Sequence, residues 1–481
     1  MLFRSVTEIS LMASNTEQLP DKLVRPRLNM LLLGRNEGSR KIPDTLFEGM
    51  NCLKVLRLEA KILSSQSLRF LTNLQSLYLK NCDFSDNLSS LGKLKRLETL
   101  SLEGCGMVAL PNELGEMESL RLLDLRYCYK LKQIPQNVIQ RLSRLEELIM
   151  DFDSFNNWDV EGTSNANLSE LNSLPCLVFL SLSFDLKYLP QGFVFPSLQR
   201  YDICINSPCS SFSEDTRTKW FDLRVLAIKE LNFFSMNAFK VLFRTVEYIR
   251  IESCEMECIV DTTSRGDHPV MFANLIKLHL VNMSCLRTIC EGPNHYVIFS
   301  NLTGFVADGC TRLVSLFSTS LAQNLKKLKK LHLLQCNEVK QIISEDKGMI
   351  LERHSQPICL PELQTIVVRN CRKLEYMFPL LVARGLPQLE ILILKDLPQL
   401  KQVFDHEEEG DARDGNNSSV WPSLKDVKVV NCPKMKWSCF ADLEANVPAH
   451  GKVILYFFWF LHFLDKTYAS AVFEILNKSE Y

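Results

Sequence analysis

The chain lacks a charge excess of either sign. Across 481 residues, Lys and Arg total 55 and Asp and Glu total 56, a net charge of −1. A groove built to follow nucleic acid carries a clear basic excess, so that class of partner is set aside. Glycine is scarce at 18, which excludes collagen. With 46% hydrophobic and 23% charged residues, wholesale disorder is excluded as well. Cysteine reaches 17, but the number is odd and no Cys-x2-Cys pair has a matching partner pair. That argues against a disulfide framework and against structural zinc. The N-terminal string MLFRSVTEISLMASN holds no apolar core of a signal peptide. The expectation is an intracellular chain with reduced thiols, cytoplasmic with the nucleus open to it.

Long apolar runs are missing too. Val453–Leu464 reads VILYFFWFLHFL before Asp465 and Lys466 interrupt it. A helix of about a dozen residues spans roughly 18 Å, short of the ~30 Å hydrocarbon core. Residues 441–481 are expected to form a cap on the fold or an unrelated apolar tail, with no membrane span. Catalytic signatures are absent: there is no Gly-x-Ser-x-Gly, His-Glu-x-x-His or kinase string. The nearest approach to a phosphate loop, Gly34-Arg35-Asn36-Glu37-Gly38-Ser39, has the wrong spacing and no Lys after the second Gly. Neither cofactor nor metal is expected, and the chain is not read as an enzyme.

What the chain does have is one phrase, repeated. Leu-x-x-Leu-x-Leu-x-x-Cys occurs at Leu74–Cys82, Leu97–Cys105 and Leu120–Cys128. Looser copies start at Val6, Leu28 and Leu53, then at Leu145, Leu177, Leu198, Leu223, Val246, Leu275, Leu302, Leu328, Leu363, Leu389 and Leu424. Their mean spacing is about 26 residues, inside the 20–29 range of leucine-rich repeats. The x-Leu-x-Leu-x core is a short strand with one face buried, and the first Leu turns into the same core. The ninth residue sits where the chain leaves the strand, a place for a buried thiol or an Asn that bonds the turn. Such a unit cannot bury its own apolar face, so neighbours must stack.

The expected fold is therefore α/β, a leucine-rich repeat solenoid of about 17 repeats over residues 5–440. It is expected to curve as a horseshoe, with parallel strands on the concave face and short helices or turns on the convex one. Pro43, Pro111 and Pro135 open return segments, at a first helical position or a tight turn. Polar inserts at 154–167, 261–271, 344–358 and 405–420 read as loops at the rim.

The informative surface is the strand face. Lys80, Glu103, Arg126 and Asp151 fall in one column of alternating sign, and Tyr78, Ser101, Asp124, Ile149, Ser181 and Asp202 in the next. Such charges pair across strands or meet a complementary protein, and both readings stay open. Tyr127, Phe152 and Phe184 lie near strand ends, where exposed aromatics would anchor an interface. His279 and His332 take central strand positions about two rungs, roughly 10 Å, apart, too far to share a metal. Arg250 and Arg369 join them as candidate protein-binding residues on later rungs. The Lys326–Lys330 run keeps repeat register through Leu325, Leu328 and Leu331, and the 405–411 charge run reads as a solvated loop.

Longer strings carry a family resemblance. Leu110-Pro111-Asn112-Glu113-Leu114-Gly115 through Leu120–Leu125 to Ile134-Pro135-Gln136-Asn137-Val138-Ile139 resembles the repeats of plant intracellular coiled-coil, nucleotide-binding disease-resistance proteins. So do Lys41-Ile42-Pro43-Asp44 before Phe47-Glu48-Gly49-Met50, and Cys310-Thr311-Arg312-Leu313 with Leu316-Phe317-Ser318. The Leu-x-Gly-x-Ile-Pro string of cell-surface plant repeats is absent. The resemblance implies recognition in defence: binding of a pathogen effector or a guarded host protein, and restraint of a nucleotide-binding switch through the first rungs. Those receptors carry a signalling domain and the switch ahead of the repeats, so an uncapped rung at Val6 is expected to be covered by a missing or separate part. The rival expectation is a general protein-interaction scaffold, such as the substrate-recognition arm of a ubiquitin ligase.

Overall fold

The computed structural model describes residues 7–11, 21–34, 41–59, 62–150, 154–159, 162, 164–206, 224–230, 238–261, 271–291, 297, 299–344, 358–379, 386–404, 423–435 and 452–456. The chain divides into two compact units, Met1–Leu242 and Phe243–Tyr481.

In the first unit each repeat delivers one strand. These are β1 (Glu8–Leu11), β2 (Met30–Leu33), β3 (Val55–Glu59), β4 (Ser76–Lys80) and β5 (Thr99–Ser101). They continue as β6 (Leu122–Asp124), β7 (Glu147–Met150), β8 (Phe179–Phe184), β9 (Arg200–Ile205) and β10 (Arg224–Lys229). Each pairs in parallel with the next. Alternation does the sorting: in β4, Leu77 and Leu79 are fully buried while Ser76, Tyr78 and Lys80 point outward. The Leu that opens each phrase, such as Leu74, Leu97 and Leu120, is buried as well.

The second unit repeats the plan with β11 (Tyr248–Glu252), β12 (Lys277–Val281), β13 (Gly304–Asp308) and β14 (Lys330–Leu334). Its remaining strands are β15 (Thr365–Arg369), β16 (Ile391–Lys395), β17 (Asp426–Val430) and β18 (Lys452–Tyr456). All pair in parallel in chain order. Thus the start of the Val453–Leu464 run is a strand in register with β17. Both units have the architecture of a leucine-rich repeat solenoid.

Return segments differ between the units. In the first they are mainly 3-10 turns, at Ser89–Lys93, Asn112–Glu116, Ile139–Arg141 and Leu168–Ser173, beside a short helix at Ser65–Leu68 and one short strand pair, Ile62–Leu63 with Asp83–Phe84. Pro111 stands just ahead of its helix, at the N-cap with ψ 150°, rather than at the first helical position. Glu170 is buried and ties backbone N–H groups of Asn137, Gln140 and Asn167 to its two oxygens, at 2.9, 3.2 and 3.2 Å. In the second unit several returns are short strands instead: Cys258–Asp261 pairs with Thr288–Glu291, Phe317–Ser318 with Ile343–Ser344, and Tyr376–Phe378 with Gln402–Phe404. β-Branched and aromatic residues replace the Pro-Asn-Glu-Leu-Gly strings there, which favours extended chain.

Strand exits follow one rule. The residue before the ninth position has positive φ in rung after rung: Asn81 (53°), Tyr127 (60°), Ser253 (52°), Asn282 (51°), Gln335 (52°), Asn370 (55°) and Asn431 (54°). Asn suits this left-handed conformation because its short polar side chain can bond nearby backbone; Asn206, the ninth residue of a rung whose strand runs one residue longer, is left-handed too (53°), and its Nδ2 donates to Lys229 O of the next rung at 3.0 Å. Cys82, Cys128, Cys254, Cys336, Cys371 and Cys432 follow as the buried cysteine of the phrase, and the buried Met283 follows Asn282. Cys128 donates its S–H to Leu102 O at 3.0 Å, and Cys105, Cys310 and Cys336 reach the preceding rungs' Leu79, Leu280 and Ala307 carbonyls at 3.5–3.8 Å. Phenylalanines fill the space behind the strands, with Phe272 stacked on Phe299 at 5.9 Å.

Candidate recognition surface

Parallel pairing in register turns outward residues into straight rows. Arg57, Tyr78, Ser101, Asp124, Ile149, Ser181 and Asp202 are direct neighbours across β3 to β9. The row expected from Tyr78 to Asp202 is thus assembled, with Arg57 added; counting in the phrase back one more rung would have found it. Tyr78 is 38% exposed, whereas Ser101, Ile149 and Ser181 are short enough to be shielded by their neighbours.

The alternating column resolves differently from a simple cross-strand ladder. Lys80 does reach across to Glu103, Nζ to Oε1 2.8 Å. Arg126 turns instead to Asp124 in its own rung, Nε and Nη2 at 2.9 and 2.8 Å from the two oxygens. The Arg126 N–H and Ser101 Oγ complete the carboxylate's shell at 3.1 Å each. Asp124 is only 4% exposed, so its charge is committed inside the protein and not offered to a partner. The fork geometry favours the bidentate contact over a single long reach. Arg200, which the sequence reading missed, pairs with Glu147 at 3.1 Å and lies over the Phe179 ring at 5.0 Å.

Among the strand-end aromatics, Phe184 is a correction: it is 0% exposed and packs 6.3 Å from Phe195. It shares the inward parity of Leu180 and Leu182, which the strand's alternation dictates. Tyr127 is half-buried, with its ring 6.3 Å from that of Tyr129, and Tyr129 is 67% exposed. Asp151 and Phe152 lie outside the described residues, as do the 405–411 charge run and most of the expected rim loops.

On the second unit, Arg250, His279, Val306, His332 and Val367 form the matching row. Val306 separates the two histidines by a full rung on each side. His279 Nδ1 is 2.8 Å from Tyr248 Oη, ring on edge to ring. Burial, then the charges of Arg250, Lys277 and His332, push the His279 imidazole down to about 4, so it is neutral near neutrality. His332 is lowered too, by burial and by Lys330 and Arg369. Arg250 donates twice to Glu252, and Arg369 is exposed. A cleft of about 600 Å³ on the return side of the first unit contains Asp86, whose oxygens are taken by Ser64, Ser65 and the Gln66 N–H.

Comparison with known proteins follows the same lines. Residues 205–337 and 348–396 match the family described as plant disease resistance protein RPS2-like, leucine-rich repeats. A probable disease resistance protein of Arabidopsis thaliana is 32% identical over 454 residues, covering 90% of this chain and 46% of that protein. The chain therefore spans less than half the length of that relative. Among solved structures, a leucine-rich repeat protein of Leptospira interrogans aligns at 17% identity and TM-score 0.39, over 76% of this chain and 91% of that one. TLR13 in its ssRNA13 complex aligns at 19% identity and TM-score 0.48, over 89% and 57%. Over residues 205–337 and 348–396, then, the chain matches leucine-rich repeats of the plant disease-resistance kind, and along 90% of its length it is similar to one such protein.

Proposed function

We propose that this chain is the protein-recognition part of a plant defence receptor, binding a pathogen effector or a guarded host protein through the outward faces of its strands. Its first rungs are assigned the restraint of a nucleotide-binding switch carried by the rest of the receptor. A partner that favours the released state would shift the population away from restraint. The observation that supports this reading is the register itself. Outward residues of successive strands stand in rows about 4.8 Å apart, so surface chemistry can vary rung by rung while the leucine core stays fixed.

The test is co-precipitation of the tagged chain from plant cells, read by mass spectrometry, beside an Arg57→Glu/Tyr78→Ala variant. Recovery of a nucleotide-binding receptor fragment or a discrete partner, lost in the variant, is the expected result. Recovery of ubiquitin-ligase subunits in its place would move the chain to the scaffold class.

A further inference from the structure

The two strand faces handle charge differently. On the first unit, Lys80, Arg126 and Arg200 are each matched by a carboxylate of the same face, Glu103, Asp124 and Glu147, while Arg57 forms no ion pair among the described residues. On the second, outward positions from β12 to β17 hold Lys277, Lys330, Arg369, Lys395 and Lys428 against Asp308 and Asp426. Among the described residues none of these five cations forms an ion pair; Lys329, next to Lys330, is the one that reaches Glu362, at 3.5 Å. The chain as a whole is charged only −1, so this imbalance is local.

Register makes the imbalance costly. Arg369 and Lys395 are direct cross-strand neighbours, and like charges directly opposite one another destabilise a sheet. Further along, Lys277 and Lys330 flank Gly304, and His279 and His332 flank Val306. That places two lysines and two histidines at the corners of a patch about 10 Å by 7 Å. Its floor is low, because Gly304 has no side chain; Lys277 Cγ lies 3.6 Å from where one would begin. Both histidines feel the positive field: Lys277, Arg250 and the other imidazole act on His279, Lys330 and Arg369 on His332. Asp308 is the acidic group of the patch's own strands, Asp426 stands on β17, and Glu252, on the neighbouring β11, is occupied by Arg250.

We infer that this face docks an acidic segment of a partner protein, its carboxylates seated over Gly304 between Lys277 and Lys330 and along Arg369 and Lys395. An anionic occupant turns the unfavourable adjacency into complementarity, which speeds encounter and fixes orientation. The inference rests on the recognition reading above and names the chemistry of its ligand.

The experiment uses the full chain and a fluorescein-labelled peptide of alternating Glu and Ser, read by anisotropy. Its Gln counterpart and a phosphoserine peptide without Glu serve as comparisons. The Glu peptide is expected to bind, the Gln peptide not, and affinity to fall as salt rises from 20 to 150 mM, values chosen so that the screening length shrinks from roughly 20 to 8 Å. Arg369→Glu/Lys395→Glu weakens binding at least about tenfold, whereas Arg312→Glu/Lys326→Glu, the same charge change off the strand face, leaves it in place. Lys330→Gln, a milder change, gives a smaller loss in the same direction should the double variant fail to fold. No Glu-peptide binding, equal loss in the off-face variant, or binding of the phosphoserine peptide alone would overturn the inference. If plant-cell partners survive the Arg369/Lys395 reversal but are lost with Arg57→Glu/Tyr78→Ala, the inference falls and the recognition reading stands. Partners indifferent to both would remove the recognition reading itself.

Discussion

Arg126 grips the carboxylate of Asp124, two residues before it in the same rung, with Nε and Nη2 each within 2.9 Å of an oxygen. The pair is closed by Ser101 Oγ from the preceding strand. It converts a position that sequence alone presents as a free acid on a recognition face into a structural clamp.

Asp124→Ala should therefore destabilise the first unit by about 2–3 kcal/mol, because a half-buried guanidinium loses its partner. Chemical denaturation of wild type, Asp124→Ala and Asp124→Leu/Arg126→Met measures it. The double variant should recover most of the loss; if it does not, the charge pair is not what matters there.

Tyr127 occupies the left-handed conformation that several other rungs give to Asn or Gly. Tyr127→Asn should stabilise by about 0.5–1 kcal/mol through relief of backbone strain. Gly104→Ala, one rung earlier at φ 69°, should do the reverse by about 1–2 kcal/mol, since its methyl would meet Asn81 Oδ1. Midpoints of urea unfolding moving in opposite directions would bear this out.

The thiols at strand exits should resist alkylation while the chain is folded. Burial pushes Cys371 up to about 12, whereas Cys52, Cys176 and Cys359 are exposed. Iodoacetamide mapping at pH 8 should label the exposed three at least ~100-fold faster. The sign for stability follows from the same shift: an unfolded thiol deprotonates near 9.0, the folded Cys371 only near 12. Its contribution is complete below pH 9 and is lost as pH rises from 9 to 12. Cys371→Ala should flatten that alkaline slope.

His279 gives the mirror case in acid. Its folded value near 4 lies below the ordinary 6.5, so between those values the unfolded state takes up a proton that the folded state refuses. Stability is full above pH 6.5 and falls as pH drops toward 4. Urea midpoints at pH 7.5 and 5 should differ more in wild type than in His279→Gln. Tyr248→Phe, which removes the 2.8 Å hydroxyl contact, should lower the stability at both values by about 0.5–1.5 kcal/mol, read as a lower midpoint.

Where rungs lie, and which side chains face in, could be read directly. Leu77 and Leu79, Leu100 and Leu102, Leu123 and Leu125 are buried where the phrase puts them, because a strand has one period and a stacked repeat has one core. Phe184 was misread only where its aromatic character was weighed above its parity. The repeat's ninth-position thiols, too, stand where the spacing places them, buried and donating to the rung before.

What tertiary structure alone decided is how the outward charges are used. Lys80 crosses to Glu103 while Arg126 stays within its rung, a choice set by side-chain length, fork geometry and the left-handed exit at Tyr127. The same is true of the second unit, where Arg369 and Lys395 meet as neighbours only once two strands of successive repeats are brought into register. A sequence records which residues point outward through a local periodicity. It cannot record which of them touch, because that depends on distances between atoms that are far apart along the chain.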